Sequence, residues 1–162
     1  MWHGRGSLAG CVAVRLHGPE GRPLGYAGRR LDPSQAGRLG QWKLPAGLPK
    51  RSLLYNLHRI APLAGRAVVV VEGPWDVLRL AQLGVPAVAL LGTHLSDEQA
   101  RLLEGVGRVV VMLDGDVAGR AASRDVAWRL RTVHRVDLPD GSDPGDLEDR
   151  ALRRVLGGLF SL

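Results

Sequence analysis

Valine-rich runs alternate with helical patterns through the second half of the sequence, and this alternation limits the possible folds more than any other feature. Four apolar runs occur, at residues 67–71, 87–91, 109–113 and 133–138. Continuous runs of this kind are typical of strands buried on both faces of a parallel sheet. Helical patterns follow them at residues 74–84, from the capping box 96–99, at 117–131 and at 147–156. The order predicts an α/β fold with a parallel sheet, right-handed crossovers and flanking helices.

The first part of the chain has a different character. Residues 1–66 contain eleven Lys or Arg and only two acids, Glu20 and Asp32. Strand-like runs at residues 11–16 and 24–31, separated by a turn-rich segment, predict an antiparallel hairpin. A loop is predicted at 32–50, a short helix at 52–60 and a boundary at 61–65. We therefore expect a small, basic α+β subdomain at 1–62 and a parallel α/β domain at 63–162.

Composition restricts the possible functions. The 162 residues include 22 Lys or Arg and 16 Asp or Glu, a net charge of +6 that is typical of proteins binding nucleic acid or polyphosphate. One cysteine excludes an intramolecular disulfide and a Cys-based zinc finger. The sequence shows no apolar stretch of membrane-spanning length and no signal-peptide core, so we expect a cytoplasmic protein that does not bind membranes.

Acidic residues stand where two of the predicted buried strands end. Glu72 directly follows the first strand and Asp114 the third, and the carboxyl ends of parallel strands share one edge of a sheet. Asp116 lies one residue beyond the flexible Gly115, and Asp76 lies one helical turn beyond Glu72. Carboxylate oxygens suit Mg²⁺, so the pattern predicts a magnesium site. For Glu72 and Asp114, strand-end solubilisation or helix N-capping is the alternative that spacing leaves open, and for Asp76 and Asp143 it is an ordinary solvated acid of a helix or turn.

Three segments in order resemble the Toprim domain of bacterial DnaG-type primases. They are residues 70–77, 89–93 and 113–120, which carry Val-Glu-Gly, Leu-Leu-Gly-Thr and Leu-Asp-Gly-Asp. The resemblance extends upstream to the basic subdomain that precedes Toprim in primase catalytic cores, at residues 4–7, 25–29, 42–45 and 50–57. It implies a Rossmann-like Toprim sheet flanked by helices.

This resemblance assigns roles to the acids. It implies that Glu72 acts as general base or organises the centre, with Asp114 and Asp116 completing the catalytic set. Asp114, Asp116 and Asp76 would hold divalent metals, Mg²⁺ or Mn²⁺. Asp143 matches the start of the third acidic motif of the family. Asp146, included as a metal ligand, stands one position later than in the best-known primases.

The resemblance also points to cations for nucleic-acid and nucleotide binding. Arg29, Lys43 and Lys50 fall where the family contacts the template or the incoming nucleotide, and Lys43 and Lys50 are the only two lysines. Arg51, beside Lys50, and Arg120, in the third Toprim segment, complete the set that we expect to bind phosphate.

The implied function is a DNA primase-like nucleotidyltransferase that makes or extends short RNA primers on single-stranded DNA from NTPs. Primases of this type also carry zinc-binding and helicase-interaction domains, which the sequence does not contain. If the chain is complete, we expect a minimal core that depends on a zinc-binding or helicase protein in trans; if it is a fragment, those domains lie outside it. A Toprim metal-dependent nuclease and a non-catalytic nucleic-acid-binding module are the alternatives.

Overall fold

The computed structural model describes residues 2–3, 6–60, 65–130 and 133–160. It consists of two compact units, Met1–Pro49 and Lys50–Leu162, which are described separately. Three sequence-based expectations lie partly outside the described residues. These are the first upstream motif at Gly4 and Arg5, the boundary segment at 61–64, and the end of the third predicted helix at 131.

The first unit is built on an antiparallel sheet of four strands in the order β1-β2-β3-β4. The strands are β1 (Trp2–His3), β2 (Cys11–His17), β3 (Pro23–Arg30) and β4 (Trp42–Lys43). The central hairpin of β2 and β3, with Ala13 opposite Gly28, confirms the predicted pair of strands. Leu16 and Ala27 are fully buried in this unit.

Helix α1 (Pro33–Leu39) lies inside the segment predicted as a loop, so that part of the prediction is wrong. Asp32 caps the helix by accepting a hydrogen bond from the Ser34 N–H at 2.9 Å, and Pro33 occupies the first turn, where its missing N–H costs nothing. None of its residues is buried. A helix without an apolar stripe leaves no periodic pattern to detect.

The second unit is built on a parallel sheet, as predicted. Its strands are β5 (Ala67–Val71), β6 (Ala87–Ala89), β7 (Arg108–Val111) and β8 (Val133–Arg135), in the order β6-β5-β7-β8. The four predicted helices are α3 (Pro74–Gln82), α4 (Asp97–Leu102), α5 (Val117–Arg129) and α6 (Asp149–Leu156). Val68 to Val71 are at most 1% exposed, so β5 is buried on both faces. Burial of each such side chain contributes roughly 1.5–3 kcal/mol.

Residues 50–60 pack into this second unit. They form a 3₁₀ turn (Lys50–Ser52) and helix α2 (Leu57–Ile60), not the continuous helix that was predicted. The helix is interrupted because Tyr55 pairs with Ala89 of β6 through two backbone hydrogen bonds, and Asn56 then adopts a left-handed φ of 71°. The compact unit thus begins at Lys50, earlier than the predicted boundary between residues 62 and 63.

None of the described helices combines the length and the apolar character needed to cross a membrane.

Candidate active site

Glu72 and Asp114 meet where β5 and β7 end. The two strands are parallel neighbours, with Val70 opposite Val111, so their carboxyl ends lie side by side. Glu72 directly follows β5, and its Oε1 accepts a hydrogen bond from the Asp114 backbone N–H at 3.1 Å. The structure thus brings together the two acids that the strand ends predicted.

Gly119, in the first turn of α5, packs directly on this pair. A Cβ atom at Gly119 would lie 2.2 Å from the Asp114 carbonyl oxygen and 2.9 Å from Glu72 Oε1. No side chain larger than hydrogen fits at these distances, so glycine allows α5 to approach both strand ends.

Asp116 and Asp76 each cap a helix. Asp116 Oδ1 accepts a hydrogen bond from the Gly119 N–H at 2.7 Å, and Asp76 Oδ2 accepts one from the Gly73 N–H at 3.0 Å. Both carboxylates thus have a structural role at a helix start, which the spacing did not indicate for them. It does not exclude a ligand role, because each carboxylate has two oxygens and several lone pairs.

The loop after β8 is held against the turn at Gly115. The Gly115 N–H donates to the Ser142 carbonyl at 2.7 Å, and the Gly141 N–H donates to the Gly115 carbonyl at 3.1 Å. This pairing carries the loop, and with it the third acidic motif, to the edge of the sheet where Asp114 lies.

The carboxylates of Asp143 and Asp76 both lie close to Gly145. A Cβ atom built there would lie 2.9 Å from Asp143 Oδ1 and 3.4 Å from Asp76 Oδ1. Asp143 Oδ1 also accepts a hydrogen bond from the Asp146 N–H at 2.9 Å. Asp146 itself is exposed, so its observed contribution is a backbone donor.

Burial and neighbouring acids perturb the ionisation of the central pair. The pKa of Asp114 is raised to about 7, first by burial and then by repulsion from Glu72, Asp76, Asp143 and Asp116. The pKa of Glu72 is also raised, mainly by burial, although the hydrogen bond from Asp114 opposes the shift. Asp114 Oδ1 is buried and lacks a hydrogen-bond partner. A cation at Asp114 would relieve both the repulsion and the unsatisfied oxygen.

The predicted metal ligands do not form one cluster. Among the described residues, no group of three or more His, Cys, Asp or Glu side chains is arranged to hold a metal ion. The donors nevertheless suit a hard cation, because they are carboxylates and one buried oxygen has no partner. Mg²⁺ commonly takes one or two carboxylates and completes its shell with water and phosphate oxygens.

The predicted phosphate-binding cations are divided between the two units. In the first unit, Arg29 donates to Gln41 Oε1 at 2.8 Å and stacks on Trp42, and Lys43 donates to the Ser7 carbonyl at 2.6 Å. In the second unit, Lys50 and Arg51 are exposed residues of the 3₁₀ turn, beside the unit's sheet.

Arg120 has a structural contact that the sequence did not indicate. Its guanidinium donates to the Gly115 carbonyl and to Asp140 Oδ1, the latter at 2.7 Å. The side chain thereby ties the Asp114 turn to the loop after β8. Phosphate binding by Arg120 remains a prediction, and it would compete with the Asp140 ion pair.

Two residues near the site were not predicted to matter for function. Gly119 lies within the third Toprim segment, but its close approach to Glu72 depends on tertiary packing, which no sequence pattern reports. Gln99 was read as half of a capping box, although it also donates to the carbonyls of Lys50 and Leu53. The burial of Gln99 at the third position of a short helix would have marked it as important, but burial cannot be seen in the sequence.

Comparison with known proteins identifies the class of this fold and site. Residues 69–147 match the Toprim-like family model. The DNA primase of Deinococcus radiodurans is 38% identical over 152 residues, which cover 85% of this chain and 26% of that protein. The DNA primase of Geobacillus stearothermophilus is 32% identical over 154 residues, covering 91% and 25%. The chain thus spans about a quarter of the length of these relatives.

Solved structures agree with the sequence matches. The Aquifex aeolicus primase structure of zinc-binding and RNA polymerase domains superposes with a TM-score of 0.75 at 29% identity, covering 95% of this chain and 41% of that one. A DnaG primase catalytic domain bound to single-stranded DNA gives a TM-score of 0.76 at 25% identity, covering 98% and 54%.

Residues 69–147 of the second unit therefore match a Toprim-like domain, with acids at its strand ends. Over nearly its whole length, the chain resembles the catalytic core of bacterial DnaG-type DNA primases.

Proposed function

We propose that this chain is the catalytic core of a primase-type nucleotidyltransferase, which joins NTPs into short RNA primers on single-stranded DNA during replication. The observation that carries the proposal is the buried, unpartnered Oδ1 of Asp114 within a set of acids at the strand ends. The similarity to primase catalytic cores supports the same reading.

The acids offer two places for divalent ions. Asp114 and Asp116 would hold Mg²⁺ or Mn²⁺ at the β7 turn, and Asp76 and Asp143, which both reach Gly145, would hold one beside α3. Such ions, when bound, neutralise charge on the phosphate oxygens during attack of a 3′-hydroxyl and departure of pyrophosphate.

Glu72 would take a proton or organise the centre. Its Oε1 is fixed by the Asp114 N–H, and its raised pKa makes it a stronger base than an exposed carboxylate. Glu72→Gln retains an oxygen that can accept the Asp114 hydrogen bond, but the neutral amide cannot accept the proton of a 3′-hydroxyl.

The cations would bind phosphate. Lys50 and Arg51 are exposed on the unit that carries the acids, and Arg29 and Lys43 belong to the basic first unit. We assign the first pair to the incoming nucleotide and the second to the backbone of the template. Backbone binding of this kind weakens as the salt concentration rises.

Template selection for initiation is the role that we assign to a partner. The Aquifex structure contains zinc-binding and RNA polymerase domains, and this chain covers 41% of it. We propose that a zinc-binding or helicase protein supplies template selection.

The test incubates the purified chain with single-stranded DNA, labelled NTPs and Mg²⁺ or Mn²⁺, with and without an annealed primer. Glu72→Gln and Asp114→Asn are the test variants. Glu104→Gln and Asp125→Asn, exposed acids elsewhere on the same unit, are the matched controls. We expect lengthened products with the wild type and controls, and none with the test variants.

Extension confined to a supplied primer would show that initiation needs another domain. Shortened DNA that disappears in the same variants would replace the proposal with a nuclease. DNA binding without any chemistry would leave a nucleic-acid-binding module.

A further inference from the structure

Gln99 is a fully buried polar side chain whose hydrogen bonds join three segments of the second unit. It is 2% exposed. Its Nε2 donates to the carbonyls of Lys50 at 3.2 Å, Leu53 at 2.8 Å and Leu90 at 3.2 Å, and its Oε1 accepts from the Ser96 N–H at 3.0 Å. A helix cap requires only the last of these bonds.

Ser96 adds a second tether to the same segment. It is 2% exposed, and its hydroxyl donates to the Arg51 carbonyl while accepting the Gln99 N–H at 3.0 Å. The carbonyls of residues 50, 51 and 53 are therefore all held by the first turn of α4. The backbone beneath Lys50 is thus held from within the unit by two buried side chains, and the bond to the Leu53 carbonyl is itself buried.

The Lys50 side chain lies against Gly92. A Cβ atom at Gly92 would be 2.8 Å from Lys50 Nζ and 3.5 Å from its Cε. Gly92 follows β6, has a φ of 147°, and donates its N–H to the Glu72 carbonyl at 3.1 Å. The ammonium group is thereby placed beside the backbone that carries Glu72.

Lys50 remains available to a ligand. In the described part of the chain it forms no ion pair with an acid. Fixing the backbone in advance removes that part of the conformational entropy that Lys50 would otherwise lose on binding a phosphate.

We propose that Gln99, with Ser96, is a positioning residue that holds Lys50 at the triphosphate of the incoming nucleotide. This inference rests on the proposed function, because it takes a nucleoside triphosphate as the ligand. Gln99 is buried and would not itself touch that ligand. It acts by fixing the carbonyls on either side of the Lys50 turn.

The first measurement is GTP binding in the presence of Mn²⁺, by calorimetry, for wild type, Lys50→Ala, Gln99→Leu and the double variant. Leu103→Ala, a buried core change in the same helical region, controls for general loss of stability. We expect Lys50→Ala and Gln99→Leu each to weaken binding about tenfold, as loss of a charged hydrogen bond does. The double variant should bind no more weakly than Lys50→Ala.

The second measurement does not depend on nucleotide binding. Lys43 and Lys50 are the only lysines, so acetylation of the two side chains can be compared within one molecule by mass spectrometry. We expect Gln99→Leu to raise the labelling of Lys50 relative to Lys43, and Leu103→Ala to leave the ratio unchanged. Ser96→Ala should shift the ratio in the same direction, and it replaces Gln99→Leu if that variant does not fold.

The inference is overturned if the ratio of Lys50 to Lys43 labelling is unchanged in both Gln99→Leu and Ser96→Ala. It is also overturned if the fold-losses of GTP affinity in Lys50→Ala and Gln99→Leu multiply in the double variant. Wild-type protein that binds no nucleotide would refute the proposed function, and the labelling ratio would then still decide whether Gln99 positions Lys50.

Discussion

Replacement of Gly119 by alanine tests the packing that joins α5 to the two acidic strand ends. The added methyl would lie 2.2 Å from the Asp114 carbonyl oxygen, a backbone atom that cannot rotate away, and 2.9 Å from Glu72 Oε1. We expect a net loss of about 2 kcal/mol, because a clash with a backbone atom puts the overpacking cost at the upper end of ~1–3 kcal/mol, and the helix-propensity gain of ~1 kcal/mol offsets part of it. For a chain of this size, that loss lowers the melting temperature by about 4–8 °C.

The assay is thermal and urea unfolding of Gly119→Ala beside Gly105→Ala. Gly105 lies in the same unit, and a Cβ atom there would meet nothing within 4 Å. The control should be unchanged or slightly more stable. Gly119→Ala should also lose primer extension, because Glu72 must move. Equal stability of the two variants would refute the packing argument, whatever happened to activity.

Two further predictions concern the acids individually. With its pKa raised from 3.8 to about 7, Asp114 keeps its proton in the folded state to higher pH than in the unfolded state, so its contribution to stability falls as pH rises from about 4 to 7. Metal-free Asp114→Asn should therefore gain stability relative to wild type across that range in urea titrations. The shift of the pKa corresponds to ~4 kcal/mol without solvent screening, and we expect a gain of ~2 kcal/mol because the carboxyl is half-exposed. A difference in unfolding free energy between variant and wild type that does not change with pH would contradict this. Asp116→Ser should keep the α5 cap and the wild-type stability but lose metal-dependent extension, whereas Asp116→Ala should also lose ~1 kcal/mol of stability. Full extension by Asp116→Ser would limit Asp116 to capping.

The parallel sheet could be predicted because its signal is local. Val68 to Val71 are buried on both faces, so the run itself carries the pattern that identifies a central strand. Helix α1 could not be found in the same way, since none of its side chains is buried. The helix predicted at residues 52–60 is interrupted because Tyr55 pairs with Ala89. These two residues are far apart in sequence, so no local pattern indicates the pair.

The part of the site that lies at the strand ends could be predicted from the sequence. Glu72 and Asp114 converge because their strands are neighbours, which follows from the order of the elements. The approach of Asp143 to Asp76, which both lie close to Gly145, depends on loop hydrogen bonds at Gly115 and could only be inferred from family resemblance. The tether from Gln99 to Lys50 joins residues far apart in sequence, and no spacing rule indicates it.

The pairing of Tyr55 with Ala89 has a consequence for association between molecules. β6 is an outer strand of the parallel sheet, and an outer strand with free N–H and carbonyl groups is a template for pairing with other chains. The Tyr55 backbone covers Ala89, and the Asn56 side chain donates to the Ala87 carbonyl at 3.0 Å. A fragment starting at residue 63 would lose this cover together with Leu54 and Leu57 of the core, and we expect it to aggregate through β6.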